Sequence, residues 1–392
     1  MKICYIVRLI DVPYVSGICA GGSTHAYEVS RNLVKNGHTV YLFCPQGVGQ
    51  KKREELDGIN ISRLFKHDGK ICLFFKKNAY IWNITRPFFY FLKYFKESIL
   101  LTRALLSFKC DVIYERSSQA TRIFCLFYRL LKIPFVLEIN DFYEPFSLRL
   151  AKFIVTPNKV VIPKCYHAKV KAMPWGVNIA IFKPLEGSGE LRSRYGLGNK
   201  KVVTLVCSGF IWHGIEDLIS AAALVINKDK EIVFMIVGGG DYFSVFKDRV
   251  NSLGLTKNFI FTGPVDYLMV PELIALSDIT VAPYSSLLRK LGKNRELYAT
   301  PLKVLEYMAC AKPTVITDVA NKNGIIEHMV TGLVVKEDSP SELADAVSYL
   351  AKDEQLRTAM GRKAREVVEN KFSWQLHVEE LEEIFVNSAK FS

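Results

Sequence analysis

Short β-branched apolar runs alternate along the whole chain with segments of helical period. This alternation is typical of parallel sheets that are covered by helices. In the first half it predicts strands at residues 2–8, 38–44, 59–64, 111–115, 134–139, 152–156 and 170–173. In the second half it predicts strands at residues 201–207, 231–237, 258–262, 279–283, 313–317 and 333–336. Both halves are therefore expected to have α/β folds.

A turn-rich segment, Lys183–Gly189, separates the two halves. We predict a first domain at residues 1–180, a linker at 181–200 and a second domain at 201–372. A final helix at 373–392 is a candidate to cross back to the first domain. A joint between two doubly wound sheets leaves a cleft where the carboxyl ends of both sets of strands can face one ligand.

Composition narrows the class of protein. The 392 residues, 49% of them hydrophobic, suffice for two or three compact units. The apolar run within residues 1–8 is too short for a signal peptide, and no stretch approaches the roughly 18 apolar residues of a membrane span. The nine cysteines and seven histidines lack the spacing of a disulfide framework or a metal site. We therefore expect a cytoplasmic protein without a cofactor or a protein-bound metal.

The net charge of +13 is concentrated in residues 63–109, which hold ten Lys/Arg against Asp68 and Glu97. No helix-turn-helix, RNA-binding or zinc-finger pattern accompanies it, which argues against a nucleic-acid partner. Twelve aromatic residues lie in the same segment, and cations mixed with aromatics suit an anionic membrane surface or a lipid-phosphate acceptor. The alternative is that these aromatics form the core faces of helices and the lysines form a solvated rim.

Two glycine-rich turns are candidate phosphate sites. Gly21 and Gly22 precede a helix whose N-terminus favours an anion. The alternative is that the two glycines only form a tight turn that is capped by Ser23 or Thr24. The turn Cys207–Gly214 contains Gly209 and Gly214, which allow close backbone approach, and His213, which can donate to a phosphate oxygen. Alternatively, Trp212 is a packing anchor and His213 a surface residue.

The segment Ala299–Ala309 carries the most informative pattern. Thr300 is a favourable N-cap, and Pro301 suits the first helical position. Lys303 then lies in the first turn, where it opposes the helix dipole unless an anionic ligand shares that end. Glu306, one turn further on the same side, can accept from the two vicinal hydroxyls of a ribose. A salt bridge between Lys303 and Glu306 is the alternative.

The ordered series of motifs resembles the retaining GT-B glycosyltransferases of the family 4 type over nearly the whole chain. In the first half the resemblance rests on Gly21-Gly22, Gly37–Val40, Met173–Asn178 and Phe182–Pro184. In the second half it rests on Trp212–Asp217, Val237–Gly240, Phe261–Gly263, Ser277–Pro283, Lys303–Ala309 and Thr331–Val334.

The resemblance implies a GT-B fold, in which two Rossmann-like domains face each other across a cleft. It implies retaining, metal-independent transfer of a sugar from a UDP- or GDP-sugar to a glycan or lipid-linked acceptor, in cell-surface polysaccharide or glycolipid biosynthesis. In this family the leaving phosphate is usually taken to help deprotonate the acceptor in a front-face displacement. Two alternatives stay open: a nucleotide-sugar epimerase of the same fold, and a catalytically weak sugar-binding protein.

The resemblance also assigns roles to individual residues. Glu306 matches the second glutamate of the family's Glu-seven residues-Glu motif, whereas the first falls at Tyr298, with Glu296 nearby. The usual phosphate-binding arginine and lysine fall near Phe210 and His213, so Lys303 is the candidate replacement for the missing charge. The expected donor-binding residues are Gly21, Gly22, Gly209, Gly214, Gly239, Pro301, Leu302 and Glu306.

The family often places a histidine after the strand that here ends at Glu138, where this chain has Asn140 and Asp141. The expected catalytic residues are Asp141, His213 and Lys303. The candidates to contact the sugar or the acceptor are His25, Glu138, Asn140, Glu296 and Tyr298. A local role in capping the following turn is the alternative for Glu138, Asn140 and Asp141.

Overall fold

The computed structural model describes residues 1–12, 21–65, 79–118, 121–140, 143–240, 242–286 and 300–390, with the backbone alone for 79–87. The chain divides into two compact units. Unit 1 contains the described residues up to Met173 together with those from His377 onward, and unit 2 contains Pro174–Leu376. Residues 174–200, which span the expected linker, thus belong to unit 2.

Unit 1 is built on an eight-stranded sheet in the order β3-β4-β2-β1-β5-β6-β7-β8. Its strands are β1 Lys2–Val7, β2 Thr39–Pro45, β3 Arg53–Leu56, β4 Ile59–Phe65, β5 Val112–Arg116, β6 Phe135–Glu138, β7 Phe153–Thr156 and β8 Val170–Ala172. All neighbours pair in parallel except β3 and β4. The central strands are almost continuously apolar because both faces of a parallel sheet are covered.

Helices cover this sheet. They are α1 Gly21–Lys35, α2 Ala79–Phe108, α3 Thr121–Leu131 and α4 Pro145–Leu150. The core between sheet and helices includes Ile113, Phe124 and Leu137, all fully buried. Within it Cys4 and Cys110 form a disulfide pair, which the cysteine spacing did not indicate. The pairing of β1 with β5 brings the two residues together although they are far apart in sequence.

Unit 2 is built on a six-stranded, fully parallel sheet in the order β11-β10-β9-β12-β13-β14. Its strands are β9 Lys201–Val206, β10 Ile232–Val237, β11 Phe259–Gly263, β12 Ile279–Ala282, β13 Thr314–Thr317 and β14 Gly332–Val335. Its helices are α5 Gly189–Arg194, α6 Ile215–Lys228, α7 Phe243–Ser252, α8 Val270–Ala275, α9 Leu302–Ala309, α10 Pro340–Lys352 and α11 Glu354–Lys371. This strand order is that of a dinucleotide-binding Rossmann sheet.

The final helix, α12 Trp374–Lys390, begins in unit 2, and its residues from His377 onward belong to unit 1. Within unit 1, Phe385 packs edge-on against the Tyr114 ring, and Glu382 accepts from Asn36 and His38 at 2.9 Å each. Among the residues that the structure describes, no helix is both long and apolar enough to cross a bilayer.

The predicted α/β fold class is confirmed, and all thirteen predicted strands are present within one residue at each end. The prediction omitted β3, because Arg53–Leu56 is a polar edge strand without an apolar run. It pairs antiparallel with β4 across Asp57 and Gly58, which both have positive φ. An Asp-Gly pair between two strands is a hairpin signal, so the sequence did contain the information.

Candidate functional site

The most developed site in unit 2 lies where the strand order reverses, between β9 and β12. Ligands of open α/β sheets bind outside the carboxyl ends of the strands at such a switch point. The turn Cys207–Gly214 follows β9, Tyr284 lies two residues after β12, and α9 lies between β12 and β13 in the chain. The turn Cys207–Gly214 and the helix that contains Lys303, both singled out from the sequence, thus lie at one end of this sheet.

The turn after β9 is held by close backbone packing. Gly214 has φ +69°, and a Cβ at this position would overlap the carbonyl oxygen of Pro283. The backbone N–H of Ser285 donates to the Trp212 carbonyl at 3.0 Å, which fixes the segment after β12 against the same turn. The glycine at position 214 is therefore required by the protein's own packing, whether or not a ligand approaches it.

The other glycines of the site also have neighbours within the chain. A Cβ on Gly209 would collide with the Phe243 ring, and one on Gly239 would lie 2.8 Å from the Pro264 side chain. Phe210, in the place of the family's arginine, stacks on Trp212 with ring centroids 4.3 Å apart and is half exposed. An aromatic pair thus occupies the position where a cation was expected by family resemblance.

The start of α9 differs from the prediction by one residue. The helix begins at Leu302, so that Pro301 is the N-cap rather than the first helical residue. The Thr300 hydroxyl does not cap the helix, because its oxygen accepts from the backbone N–H of Trp175 at 3.1 Å. The predicted cap was wrong, since a tertiary hydrogen bond takes the oxygen that a local cap would use.

Lys303 and His213 present buried nitrogen atoms at this helix start. Lys303 Nζ lies 4.8 Å from the centroid of the Tyr284 ring, and the His213 ring packs edge-on against the same ring at 5.5 Å. Among the described residues, neither Lys303 Nζ nor His213 Nδ1 has a hydrogen-bond partner. Buried polar groups are normally paired, so these two nitrogen atoms are candidates to bind an anionic ligand.

Burial shifts the proton equilibria of both groups. It lowers the pKa of Lys303 to about 8, against smaller opposing effects of Cys207 and Glu306. It also holds the pKa of His213 well below its ordinary value, with a further contribution from the Lys303 charge. At neutral pH the site thus contains one ammonium group and one neutral imidazole, which can donate to or accept from a ligand.

Glu306 lies one helical turn beyond Lys303 and is almost fully buried. Its Oε1 accepts from the Tyr267 hydroxyl at 2.9 Å, and no ion pair joins it to Lys303 among the described residues. Burial raises its pKa to about 7, while the Tyr267 hydrogen bond and the Lys303 charge oppose that rise. The Lys303–Glu306 salt bridge that the sequence left open is therefore not formed.

A second polar cluster lies at the carboxyl ends of β1, β5 and β6 in unit 1. Glu138 Oε2 accepts from the Tyr5 hydroxyl at 2.6 Å, and Glu138 Oε1 lies 3.5 Å from Arg116 Nη1. Asn140 Nδ2 donates to the same Oε1, and His25 Nδ1 lies 3.4 Å from it. The candidates His25, Glu138 and Asn140 are thus brought together, and Glu138 is only 2% exposed.

The C-terminal helix contributes to this cluster. His377 packs edge-on against His25 with ring centroids 5.7 Å apart. Burial, followed by the charges of Arg116 and His377, holds the pKa of His25 well below its ordinary value. Sequence reasoning missed Tyr5, Arg116 and His377, because each belongs to a different element and none stands in a recognisable motif.

The Gly21-Gly22 pair lies at the start of α1 and not in a turn before it. A Cβ on Gly22 would lie 2.5 Å from the Ile10 side chain and 3.3 Å from Arg116 Nη2. The Ser23 hydroxyl donates to the Asp11 carbonyl at 2.7 Å instead of capping the helix. Asp141, Glu296 and Tyr298 lie outside the described residues.

Two family models match adjacent parts of the chain. The model described as Glycosyltransferase Family 4 matches residues 20–164, and the model described as Glycosyl transferases group 1 matches residues 188–367. The two ranges do not overlap and together cover more than four-fifths of the sequence. The chain belongs to the family 4-like glycosyltransferases of the GT-B fold.

Curated relatives bear the names of glycosyltransferases. The chain is 32% identical to an α-D-kanosaminyltransferase from Streptomyces kanamyceticus over 47% of this chain and 45% of that protein. It is 28% identical to a GDP-mannose-dependent α-(1-6)-phosphatidylinositol monomannoside mannosyltransferase from Mycobacterium tuberculosis over 53% of each. The chain thus matches about half the length of these relatives.

Solved structures match the whole chain in fold. HepE from Anabaena in complex with UDP superposes with a TM-score of 0.74 at 16% identity, over 99% of this chain and all of that one. A glycosyltransferase from Rickettsia africae superposes with a TM-score of 0.75 at 18% identity, over 100% and 99% of the two chains. These superpositions confirm the GT-B fold that the motif series implied.

Proposed function

We propose that this chain transfers a glycosyl group, with retention of configuration and without a metal ion, from a nucleotide-sugar to a glycan or lipid-linked acceptor. The reaction would take place in the cytoplasm and serve the synthesis of a cell-surface polysaccharide or glycolipid. Support comes from the motif series, from the relatives that bear glycosyltransferase names, and from HepE, whose solved structure is a complex with UDP.

The observation that carries the proposal is the unsatisfied cation at the start of α9. Lys303 Nζ and His213 Nδ1 are buried without partners among the described residues, at the switch point of a Rossmann sheet. A diphosphate placed there would accept from both nitrogens and would also face the first backbone N–H groups of α9. Such an anion would therefore satisfy both buried nitrogen atoms.

The roles of these residues in transfer follow from the charge that develops on the leaving group. As the bond between the sugar and the diphosphate breaks, negative charge grows on the diphosphate oxygens. Lys303, His213 and the start of α9 are fixed donors that stabilise this charge, which is the task a metal ion performs in other transferases. No side-chain nucleophile is required in a front-face displacement, because the leaving phosphate accepts the proton of the acceptor hydroxyl.

Glu306 would hold the ribose. Its Oε1 is fixed by Tyr267, which leaves Oε2 to accept from the two vicinal hydroxyls. In unit 1, both carboxylate oxygens of Glu138 already have partners, so we assign Glu138 to positioning Asn140 and His25 rather than to contacting the substrate. Asp141, Glu296 and Tyr298 remain candidates to contact the sugar or acceptor, and Asp141 a candidate catalytic residue.

The test is a donor screen followed by a product analysis. Thermal unfolding is measured with UDP-, GDP- and other nucleotide-sugars in EDTA, and hydrolysis or transfer from the donor with the largest shift is then followed by proton NMR of the anomeric signal. We expect stabilisation by one nucleotide class and a first-formed product with the configuration of the donor. Inversion would contradict retention, a requirement for added divalent ions would contradict metal independence, and binding without any turnover would favour the sugar-binding alternative.

A further inference from the structure

Helix α2 is apolar on two opposite faces. One face is buried in the core of unit 1 through Tyr94, Leu101 and Leu105. The opposite face is exposed and is formed by Phe88, Leu92, Phe95, Ile99 and Leu106. The apolar face of a helix in a globular protein normally lies against the core, so the exposed apolar face needs an explanation beyond the folding of unit 1.

The exposed residues form a straight stripe along α2. Their spacing of i, i+4, i+7, i+11 and i+18 keeps them within a narrow sector of a helix with 3.6 residues per turn. At a rise of about 1.5 Å per residue the stripe is about 27 Å long. Phe88, at one end, is 61% exposed and Leu106, at the other, is 58% exposed.

Helix α3 extends the apolar surface. The Phe95 ring packs edge-on against Phe127 of α3 with ring centroids 5.9 Å apart. Leu126 and Leu130 lie one turn apart on α3 and are both exposed, Leu130 by 77%. The outer stripe of α2 and these leucines define a surface that we call the α2–α3 face. The alternative that the aromatics of this segment only form the core faces of helices does not hold for Phe88, Phe91 and Phe95, which are exposed.

The charges on these two helices are of one sign at the surface. Lys96 and Arg103 on α2 and Arg122 and Arg129 on α3 are exposed. The only acid among residues 88–108 is Glu97, which is buried and paired with Arg8 at 3.0 Å. Helix α3 contains no Asp or Glu. The α2–α3 face thus combines apolar side chains with cations and presents no exposed carboxylate from either helix over the described side chains.

We propose that the α2–α3 face docks unit 1 on an anionic lipid surface. Phenylalanine and leucine side chains would enter the boundary between headgroups and acyl chains, while lysine and arginine ammonium and guanidinium groups would meet lipid phosphates. A second copy of this chain is a poorer occupant, because two cationic faces repel each other. The inference deepens the proposed function by specifying a lipid-linked acceptor, and it depends on that function only for this specification.

The first arm of the test measures vesicle binding by the full chain. Sedimentation is compared between phosphatidylcholine vesicles and vesicles that also contain phosphatidylglycerol, at low and high salt. We expect binding to the anionic vesicles only, weakened by salt because the cations act through screened charge. Equal binding to both vesicle types, or none to either, would overturn the proposal.

The second arm distinguishes binding through the α2–α3 face from nonspecific adsorption of the protein to vesicles. In the double variant Phe88→Gln and Leu92→Gln we expect at least about a tenfold loss of vesicle binding. The matched control is Leu224→Gln and Leu268→Gln, which changes two exposed leucines of unit 2 and should leave vesicle binding unchanged. Equal losses in both double variants would refute a specific role of the α2–α3 face.

The third arm tests the charges and keeps this inference distinct from the proposed function. Lys96→Gln with Arg103→Gln should weaken binding by about fivefold per cation, and the control Lys230→Gln with Lys257→Gln should change it little. Donor binding measured without vesicles should be the same in all these variants. Loss of vesicle binding with intact donor binding supports the face, whereas a dimer seen by sedimentation velocity and dispersed by Phe88→Gln would replace the lipid by a second copy.

Discussion

At the scale of single residues, two half-buried lysines of unit 2 differ in what surrounds their ammonium groups. Lys312 Nζ donates to the carbonyl oxygens of Ala275 and Ser277 at 2.9 and 2.7 Å. Lys303 Nζ has no such acceptor among the described residues and lies over the Tyr284 ring. The first lysine therefore contributes to the fold, whereas the second is a cost to the unliganded protein that a bound anion would offset.

This contrast predicts opposite effects of the same substitution. Lys303→Met should stabilise the unliganded chain by about 1–3 kcal/mol, because it removes an unpaired buried charge. Lys312→Met should destabilise it, because two buried carbonyl groups lose their donor. Chemical denaturation without nucleotide measures both. A loss of stability in Lys303→Met similar to that in Lys312→Met would show that Lys303 is satisfied within the fold.

The same residues predict the pH dependence of donor affinity. Glu306 must be ionised to accept from ribose hydroxyls, and its pKa of about 7 means that affinity rises as pH increases through 7. Lys303 must be protonated to bind phosphate, and its pKa of about 8 means that affinity falls as pH increases beyond 8. Titration calorimetry from pH 6 to 9 should give a maximum between about 7 and 8.

Conservative variants assign the two limbs of this profile. Glu306→Gln should remove the rise below pH 7, since its side chain does not ionise, and Lys303→Arg should remove the fall above pH 8, since arginine stays protonated. A profile that keeps both limbs in both variants would mean that other groups control donor binding.

Part of the site follows from the sequence because it is local. Lys303 and Glu306 share a side of one helix by spacing alone, and the start of that helix is marked by Pro301 to within one residue. The Tyr267 hydroxyl on Glu306 comes from a turn 39 residues earlier, which no local pattern indicates. The pairing of Thr300 with Trp175 likewise depends on tertiary structure and overrides the local capping preference.

At the scale of elements, the turn between β9 and α6 is held in place by the packing of Gly214 against Pro283. Strand β3 cannot be predicted from apolar runs, because the sequence feature that indicates the β3–β4 hairpin is the Asp57-Gly58 turn. Helix α2 shows the converse, because its apolar pattern predicts a helix but does not reveal which of its two apolar faces the fold covers.

Two glycines with the same backbone conformation test the role of the β9–α6 turn. Gly214 and Gly254 both have φ +69°, but a Cβ on Gly254 would meet no atom within 4 Å. Gly254→Ala should cost about 1–2 kcal/mol from the left-handed conformation alone. Gly214→Ala should cost clearly more and should also weaken donor binding, because the turn must move away from Pro283. Equal losses of stability with unchanged donor binding would contradict this account.

At the scale of the whole molecule, each unit has its own sheet, which is mainly parallel in unit 1 and fully parallel in unit 2, and the strand order of both sheets reverses beside the first strand of the unit. This organisation was predictable, because buried parallel strands are apolar runs that alternate with helices. The partners of the polar clusters were not, since they depend on how distant elements pack. The net charge of +13 does not follow from the fold. Within residues 63–109, where this charge is concentrated, Lys96 and Arg103 of α2 are exposed.

The central claim is that α9 of unit 2 binds the nucleotide part of the donor. The most direct measurement is isothermal titration calorimetry of UDP and GDP into the wild type, Glu306→Gln and the matched control Glu115→Gln. Glu115 is also fully buried, and burial likewise raises its pKa to about 7, but it lies in unit 1 and is held by Thr121 at 2.7 Å. We predict at least about a tenfold loss of nucleotide affinity in Glu306→Gln and less than about a twofold change in Glu115→Gln. Unchanged affinity in Glu306→Gln, or an equal loss in the two variants, would contradict the account.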